Sequence, residues 1–253
     1  MLCVCKNQVA EEFVNAVTTH PSRPDNAFVA ATDAAVPVAG VTSTTPAAVT
    51  VSTVSTVATR KRPKPGERRA QILRTLATML EQPGADRITT AGLAAMLGVS
   101  EAALYRHFAS KAQMFEALIG FIEQSVFTLI SQVVEREMDP SAQARRVLAV
   151  LLQFAESNPG MARIMVGDAL VFENERLLTR VNQFFDQIES RLCQCLRSAA
   201  EVKGATLPGV DDANLRASVS MAFAVGRLQR FTRSGFKRSP TEHLDIALRL
   251  LVS

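Results

Sequence analysis

The chain has 253 residues, 47% of them hydrophobic, which is enough to bury a sizeable core in one or two domains. Lys and Arg total 28 against 24 Asp and Glu, so the whole chain is only mildly basic. It contains no phosphate-loop, nucleophile-elbow or zinc-protease motif, so neither an enzyme nor a bound metal or cofactor is expected.

Cys3/Cys5 and Cys193/Cys195 are spaced too closely for an ordinary disulfide or zinc knuckle, and no histidine lies near either pair. They read as reduced thiols of a cytoplasmic protein. Met1–Val14 lacks the apolar stretch of a secretory signal. No apolar run reaches the roughly 18–20 residues of a membrane span, and no membrane partner is expected.

Residues 1–62 read as a low-complexity extension. From Ala27 to Thr59 it is almost entirely Ala, Val, Thr, Ser and Pro with no helical stripe, so burial cannot offset its ordering entropy and disorder is expected. Pro63 and Pro65 then mark a joint. Glu67–Glu81 follows as a helix, with Ile72, Leu76 and Leu80 at four-residue spacing and Gln82-Pro83-Gly84 ending it.

Thr89 to Phe108, T-T-A-G-L-A-A-M-L-G-V-S-E-A-A-L-Y-R-H-F, has the residue order of a helix-turn-helix. Thr89 and Thr90 offer a hydroxyl cap, and Leu93, Ala94 and Leu97 form a buried stripe. Gly98 falls where a helix needs a left-handed C′ residue. Ser100 caps a second helix, Glu101 to about His107, with Leu104 and Phe108 facing the core. An ordinary helical hairpin with a glycine corner is the alternative. Charge favours DNA over that alternative: residues 60–111 carry a net +6, residues 1–59 a net −2, and residues 112–253 none. Clustered Lys and Arg beside a groove-reading helix are the electrostatic footprint of phosphate contacts.

The rest reads as helices: about Lys111 to Glu137, capped by Ser110 with Gln113; Asp139-Pro140 to about Asn158-Pro159-Gly160; a short one over Met161–Val166; and a long one to about Glu201. The long helix from Lys111 should bury Met114, Phe115, Leu118, Phe121, Ile122, Val126, Leu129 and Val133. After a loop at Lys203–Val210, Asp211 or Asp212 caps a helix to about Ser234. Ser239-Pro240-Thr241-Glu242 reads as a capping box opening the last helix to Leu251. The fold class is therefore all-α with about nine helices. Residues 63–112 form a three-helix DNA-binding domain and 113–253 a helical dimerisation and partner-binding body.

Ser100, Glu101, Ala102 and Ala103 sit where a recognition helix meets base edges, small side chains there allowing contact with thymine methyls. Thr89 and Thr90 are expected on phosphate, and Tyr105, His107 and Lys111 on the backbone. Arg60, Lys61, Arg62, Arg68 and Arg69 form an arm that tracks phosphates or enters the adjacent minor groove. Phe223, Leu228, Phe231 and Leu248, on the last two helices, are expected in a homodimer interface; burial within one subunit is the alternative. A two-fold dimer would set its recognition helices about 34–36 Å apart on a pseudo-palindromic duplex.

The order of elements resembles the TetR family of dimeric DNA-binding regulators. The likeness is closest to its nucleoid occlusion members, through Arg87–Lys111, N-P-G-M-A-R-I-M-V-G-D-A-L-V-F-E-N-E-R-L at Asn158–Leu177, N-Q-F-F-D-Q-I-E at Asn182–Glu189 and R-F-T-R-S-G-F-K-R-S-P-T at Arg230–Thr241. That resemblance implies a nucleoid-associated dimer which, bound to chromosomal sites, antagonises the tubulin-like division GTPase FtsZ. It carries the FtsZ-facing role onto Phe121, Val150 and Asn158, with plain core as the alternative for Phe121. Leu129, Gln153 and Ser157 depart from the pattern, two of them in place of an arginine. The competing readings are a TetR-type repressor controlled by a small molecule in its body, and a DNA-binding protein recruiting some other partner.

Overall fold

In the computed structural model, residues 66–82, 88–202 and 210–252 are described, without the side chains of Val210 and Asp211. The extension at 1–62, the arm residues Arg60, Lys61 and Arg62, and most of the 203–210 loop lie outside them. The described residues form nine α-helices and no strand: α1 (Glu67–Glu81), α2 (Thr90–Leu97), α3 (Glu101–Tyr105), α4 (Lys111–Arg136), α5 (Pro140–Ser157), α6 (Pro159–Met165), α7 (Glu175–Val202), α8 (Val210–Arg233) and α9 (Leu244–Leu251). A 3₁₀ turn at Asp168–Leu170 links α6 to α7.

Local signals set most boundaries. The Thr89 hydroxyl accepts from Gly92 N–H at 3.1 Å, and Gly98 closes α2 at φ 63°, a left-handed conformation that strains any side chain bearing a Cβ. The Ser110 hydroxyl accepts from Gln113 N–H at 3.2 Å, while the Gln113 carboxamide reaches back to Ala109 N–H rather than to Ser110. Asp139 accepts from Ser141 and Ala142 N–H, both at 3.0 Å, with Pro140 at the first helical position.

Helix α5 is the centre of the body. Val147, Leu148, Leu151, Leu152 and Ala155 are fully buried on it, and α4, α6, α7, α8 and α9 all pack against it. Each such leucine contributes about 1.5–3 kcal/mol through its burial. Helix α4 is long and apolar enough by length and composition to cross a membrane, contrary to the sequence expectation. Its buried side chains Met114, Phe115, Leu118, Ile119, Ile122, Val126 and Ile130 belong to the common core, and Glu123 on it ion-pairs with Arg180 of α7. The stripe turns toward Ile119 and Ile130, so Leu129 and Val133 are only half-buried.

Three boundaries besides that of α6, which begins at Pro159, differ from expectation. Helix α3 stops at Tyr105, because His107 N–H turns back to Leu104 O in a tighter 3₁₀ pattern that brings Phe108 into the core. Helix α8 begins at Val210, so Asp212 lies inside its first turn, paired with Arg216 at 3.0 Å. The last helix starts only at Leu244, after a left-handed His243 at φ 52°. The Ser239 hydroxyl accepts the Thr241 N–H within the turn before the last helix, at 3.2 Å, and the hydroxyls of Ser239 and Thr241 both donate to the carboxylate of Glu156 at the end of α5.

Candidate nucleic-acid interface

Helix α3 is five residues long and is held by its ends. The Ser100 hydroxyl accepts from Ala103 N–H at 3.3 Å, and Leu104 and Phe108 anchor it in the core. This leaves Glu101, Ala102, Tyr105 and Arg106 exposed and Ala103 and His107 half-buried, as their spacing requires. The Thr90 hydroxyl donates to the Glu101 carboxylate at 2.6 Å, tying the start of α2 to the start of α3. Two side chains expected on DNA therefore hold each other in the free protein. Met96 on α2, 54% exposed, adds an apolar side chain to this domain's surface that sequence reasoning missed.

The flanking cations are partly engaged. Arg68 donates to the Gln71 carboxamide at 2.8 Å, and the Arg69 guanidinium lies 4.4 Å from the centre of the Phe108 ring. Lys111, first residue of α4, ion-pairs with Glu173 from the segment before α7 and lies 5.7 Å from the Phe115 ring centre. A lysine expected on phosphate thus already has a carboxylate partner.

The joint between this domain and the body rests on close backbone approach. A Cβ on Gly160 would stand 2.0 Å from Ala77 O, so only glycine lets α6 seat on α1. From the sequence alone this Pro-Gly pair reads as a helix stop; Gly160 instead lies within α6. Glu81, beside it, accepts the Gly160 N–H, but burial outweighs that bond and pushes its carboxyl above the ordinary value. Arg163 reaches Gln82 O at 3.5 Å while its guanidinium lies 5.3 Å from the Phe236 ring centre. Farther along, Arg180 grips Glu123 through two hydrogen bonds of 2.9 and 2.6 Å, which raise the arginine's already high pKa.

The residues expected on partners are distributed differently from the sequence reading. Phe121 and Val150 are half-buried and packed against the core. Asn158 is buried at 7% exposure, its Nδ2 donating to Phe154 O at 2.7 Å, so it closes α5 instead of facing outward. Gln153 and Ser157 are exposed. Leu228, Phe231 and Leu248 lie in the core of their own subunit, with no surface left for a second copy. Phe223 is half-exposed under the Arg227 guanidinium. The large exposed apolar side chains of the last two helices are Leu215 and Val219 on α8 and Ile246 and Leu250 on α9, each pair at i, i+4 spacing.

The fold and its cap-held helix-turn-helix define a TetR-type DNA-binding protein. Residues 72–118 match the tetR family of bacterial regulatory proteins, and residues 140–253 match the tetracycline-repressor-like, SlmA-like C-terminal domain. The chain is 50% identical over 189 residues to the nucleoid occlusion factor SlmA of Photobacterium profundum, covering 74% of this chain and 95% of that one. It is 52% identical over 180 residues to SlmA of Shewanella pealeana, covering 70% and 89%. Among solved structures it superposes on the TetR-family regulator PfmR of Thermus thermophilus with a TM-score of 0.60 at 20% identity, covering 72% and 97%, a likeness of fold. The chain belongs to the SlmA family of nucleoid occlusion factors, within the TetR-type regulators.

Proposed function

We propose that this chain is a nucleoid occlusion factor: a homodimer that, bound to a pseudo-palindromic chromosomal site, antagonises FtsZ assembly and keeps the septum from closing over DNA. The observation that carries the reading is identity of about half over nearly the full length of relatives bearing that name, joined to a capped helix-turn-helix whose second helix exposes Glu101, Ala102, Tyr105 and Arg106. In this reading residues 63–112 read DNA and 113–253 pair the subunits and meet FtsZ. Ser100, Glu101, Ala102 and Ala103 face base edges. Thr89, Thr90, Tyr105, His107 and Lys111 face the backbone, with Arg60, Lys61, Arg62, Arg68 and Arg69 as a phosphate-tracking arm.

The dimer face is Leu215, Val219 and Phe223 of α8 with Ile246 and Leu250 of α9, since these stay outward where Leu228, Phe231 and Leu248 do not. The FtsZ-facing surface is the α4–α5 side with Phe121 and Val150, Asn158 shaping the end of α5 from within. Co-sedimentation of FtsZ polymers with the full chain tests the reading. Operator-bound protein should lower the polymer pelleted more than free protein does. Equal pellets with and without operator would remove the division role and leave a DNA-binding regulator.

A further inference from the structure

The corner between α8 and α9 holds a cleft of about 610 Å³ lined by Arg227, Arg230, Lys237, Arg238, Ser239 and Glu242. Its volume lies within the range of small-molecule sites. Arg230, Lys237 and Arg238 make no ion pair with any described residue, and Arg227 stacks over the Phe223 ring at 5.0 Å. The single lining carboxylate, Glu242, is more than half exposed and lies 3.9 Å from His243 Nε2. The neighbouring carboxylate, Glu156, is already occupied by the hydroxyls of Ser239 and Thr241. Four like charges in one concavity repel one another unless an anion sits between them.

The loop that presents two of them is held in a costly conformation. Gly235 and Phe236 are both left-handed, at φ 63° and 65°, and a bulky side chain there is an outlier. Phe236 is fixed by the Phe231 ring, 5.2 Å between centroids, and by Arg163 on its other contact. The Ser234 hydroxyl donates to Phe231 O at 2.8 Å and accepts from Lys237 and Arg238 N–H at 3.1 and 2.9 Å. The loop is thereby closed with Lys237 and Arg238 adjacent at the cleft, before any ligand arrives.

We propose that this cleft binds a compact soluble polyphosphate, one per chain, separately from the DNA-reading surface. Inside one cleft a small multiply charged anion can meet all four cations together, whereas a duplex spreads its phosphates singly along its length. The proposal does not depend on the FtsZ role. Calorimetric titration of the full chain with sodium triphosphate, with sodium sulfate at matched ionic strength as reference, tests it. Saturable binding near one per chain, tighter than sulfate, is expected. The double variant R230A/K237A should weaken it at least about tenfold while keeping operator affinity and the thermal transition. Two parallel titrations, with operator-free duplex and with vesicles of anionic phospholipid, identify other sources of phosphate. The proposal is overturned if triphosphate does not saturate in the millimolar range or if the double variant binds it unchanged. It is equally overturned if the variant loses only duplex or vesicle binding, which would make the cleft a polymer or membrane contact.

Discussion

The helix-turn-helix and the body reach order by opposite routes. Helices α2 and α3, of eight and five residues, are too short to persist alone, and hydroxyl caps at Thr89 and Ser100 with a left-handed Gly98 hold them in register. On the outward face of α3 only Glu101 has a partner among the described residues, the Thr90 hydroxyl, while Ala102, Tyr105 and Arg106 are exposed. Helix α5 has the reverse allocation: one of its faces is fully buried under five other helices, and that burial supports it. The lesson is that the helix-turn-helix owes its shape to caps and a few buried anchors, Leu93, Leu104 and Phe108, whereas the body owes its shape to area. Damage should therefore take different forms in the two places.

The largest effect is expected in the body. Leu151→Ala should cost about 2–5 kcal/mol in urea unfolding, with operator sequence preference unchanged in what remains folded. An altered preference would mean that the two regions are not separable in this way. At the joint, Gly160→Ala forces α6 off Ala77 and should cost about 1–3 kcal/mol. It should also reduce operator affinity beyond the loss of folded protein, read by anisotropy at a temperature where the variant remains native. In the reading element, Ser100→Ala should cost only about 1 kcal/mol, yet weaken operator binding in preference to random duplex, because it loosens the start of α3.

The smallest effect concerns Glu81. Its folded carboxyl titrates above the ordinary 4.5, so its contribution to stability is full below that value and is lost as pH rises through the raised one. Glu81→Gln keeps an acceptor for Gly160 N–H. It should match the parent in acid below about pH 4 and become slightly more stable than it toward pH 7. Parallel melting curves across that range check the sign.

What could be read along the chain was what neighbouring residues decide. Caps at Thr89, Ser100, Ser110 and Asp139, the Gly98 corner and the Leu104/Phe108 anchors all act within a few residues, and their signals were legible. The misreadings share a different cause. Gly160 looked like a helix terminator because its reason for being glycine, Ala77 O, belongs to a distant helix. Ser239 and Thr241 had the spelling of a capping box, but Glu156 competed for their hydroxyls. Apolar side chains surround α8 on several sides, so periodicity could not tell Leu228 and Phe231, which face inward, from Leu215 and Val219, which do not. Asn158, carried onto the FtsZ-facing surface by the family resemblance alone, is buried and closes α5.

The pairing of Lys111 with Glu173 has a consequence for how salt is read in this protein. A lysine that arrives at a phosphate from open water releases a counterion from DNA, and the logarithmic salt slope steepens by about 0.9 for each such contact. In the proposed contact Lys111 would first leave the Glu173 carboxylate, and electrolyte loosens that internal bond as it loosens the duplex's hold. The two tendencies oppose, so Lys111 should contribute less than one full contact to the slope. Glu173→Gln should steepen it, while Lys111→Ala should flatten it by less than the full increment. If Lys111 meets a phosphate as proposed, a titration of affinity against potassium chloride would count fewer contacts than the surface makes.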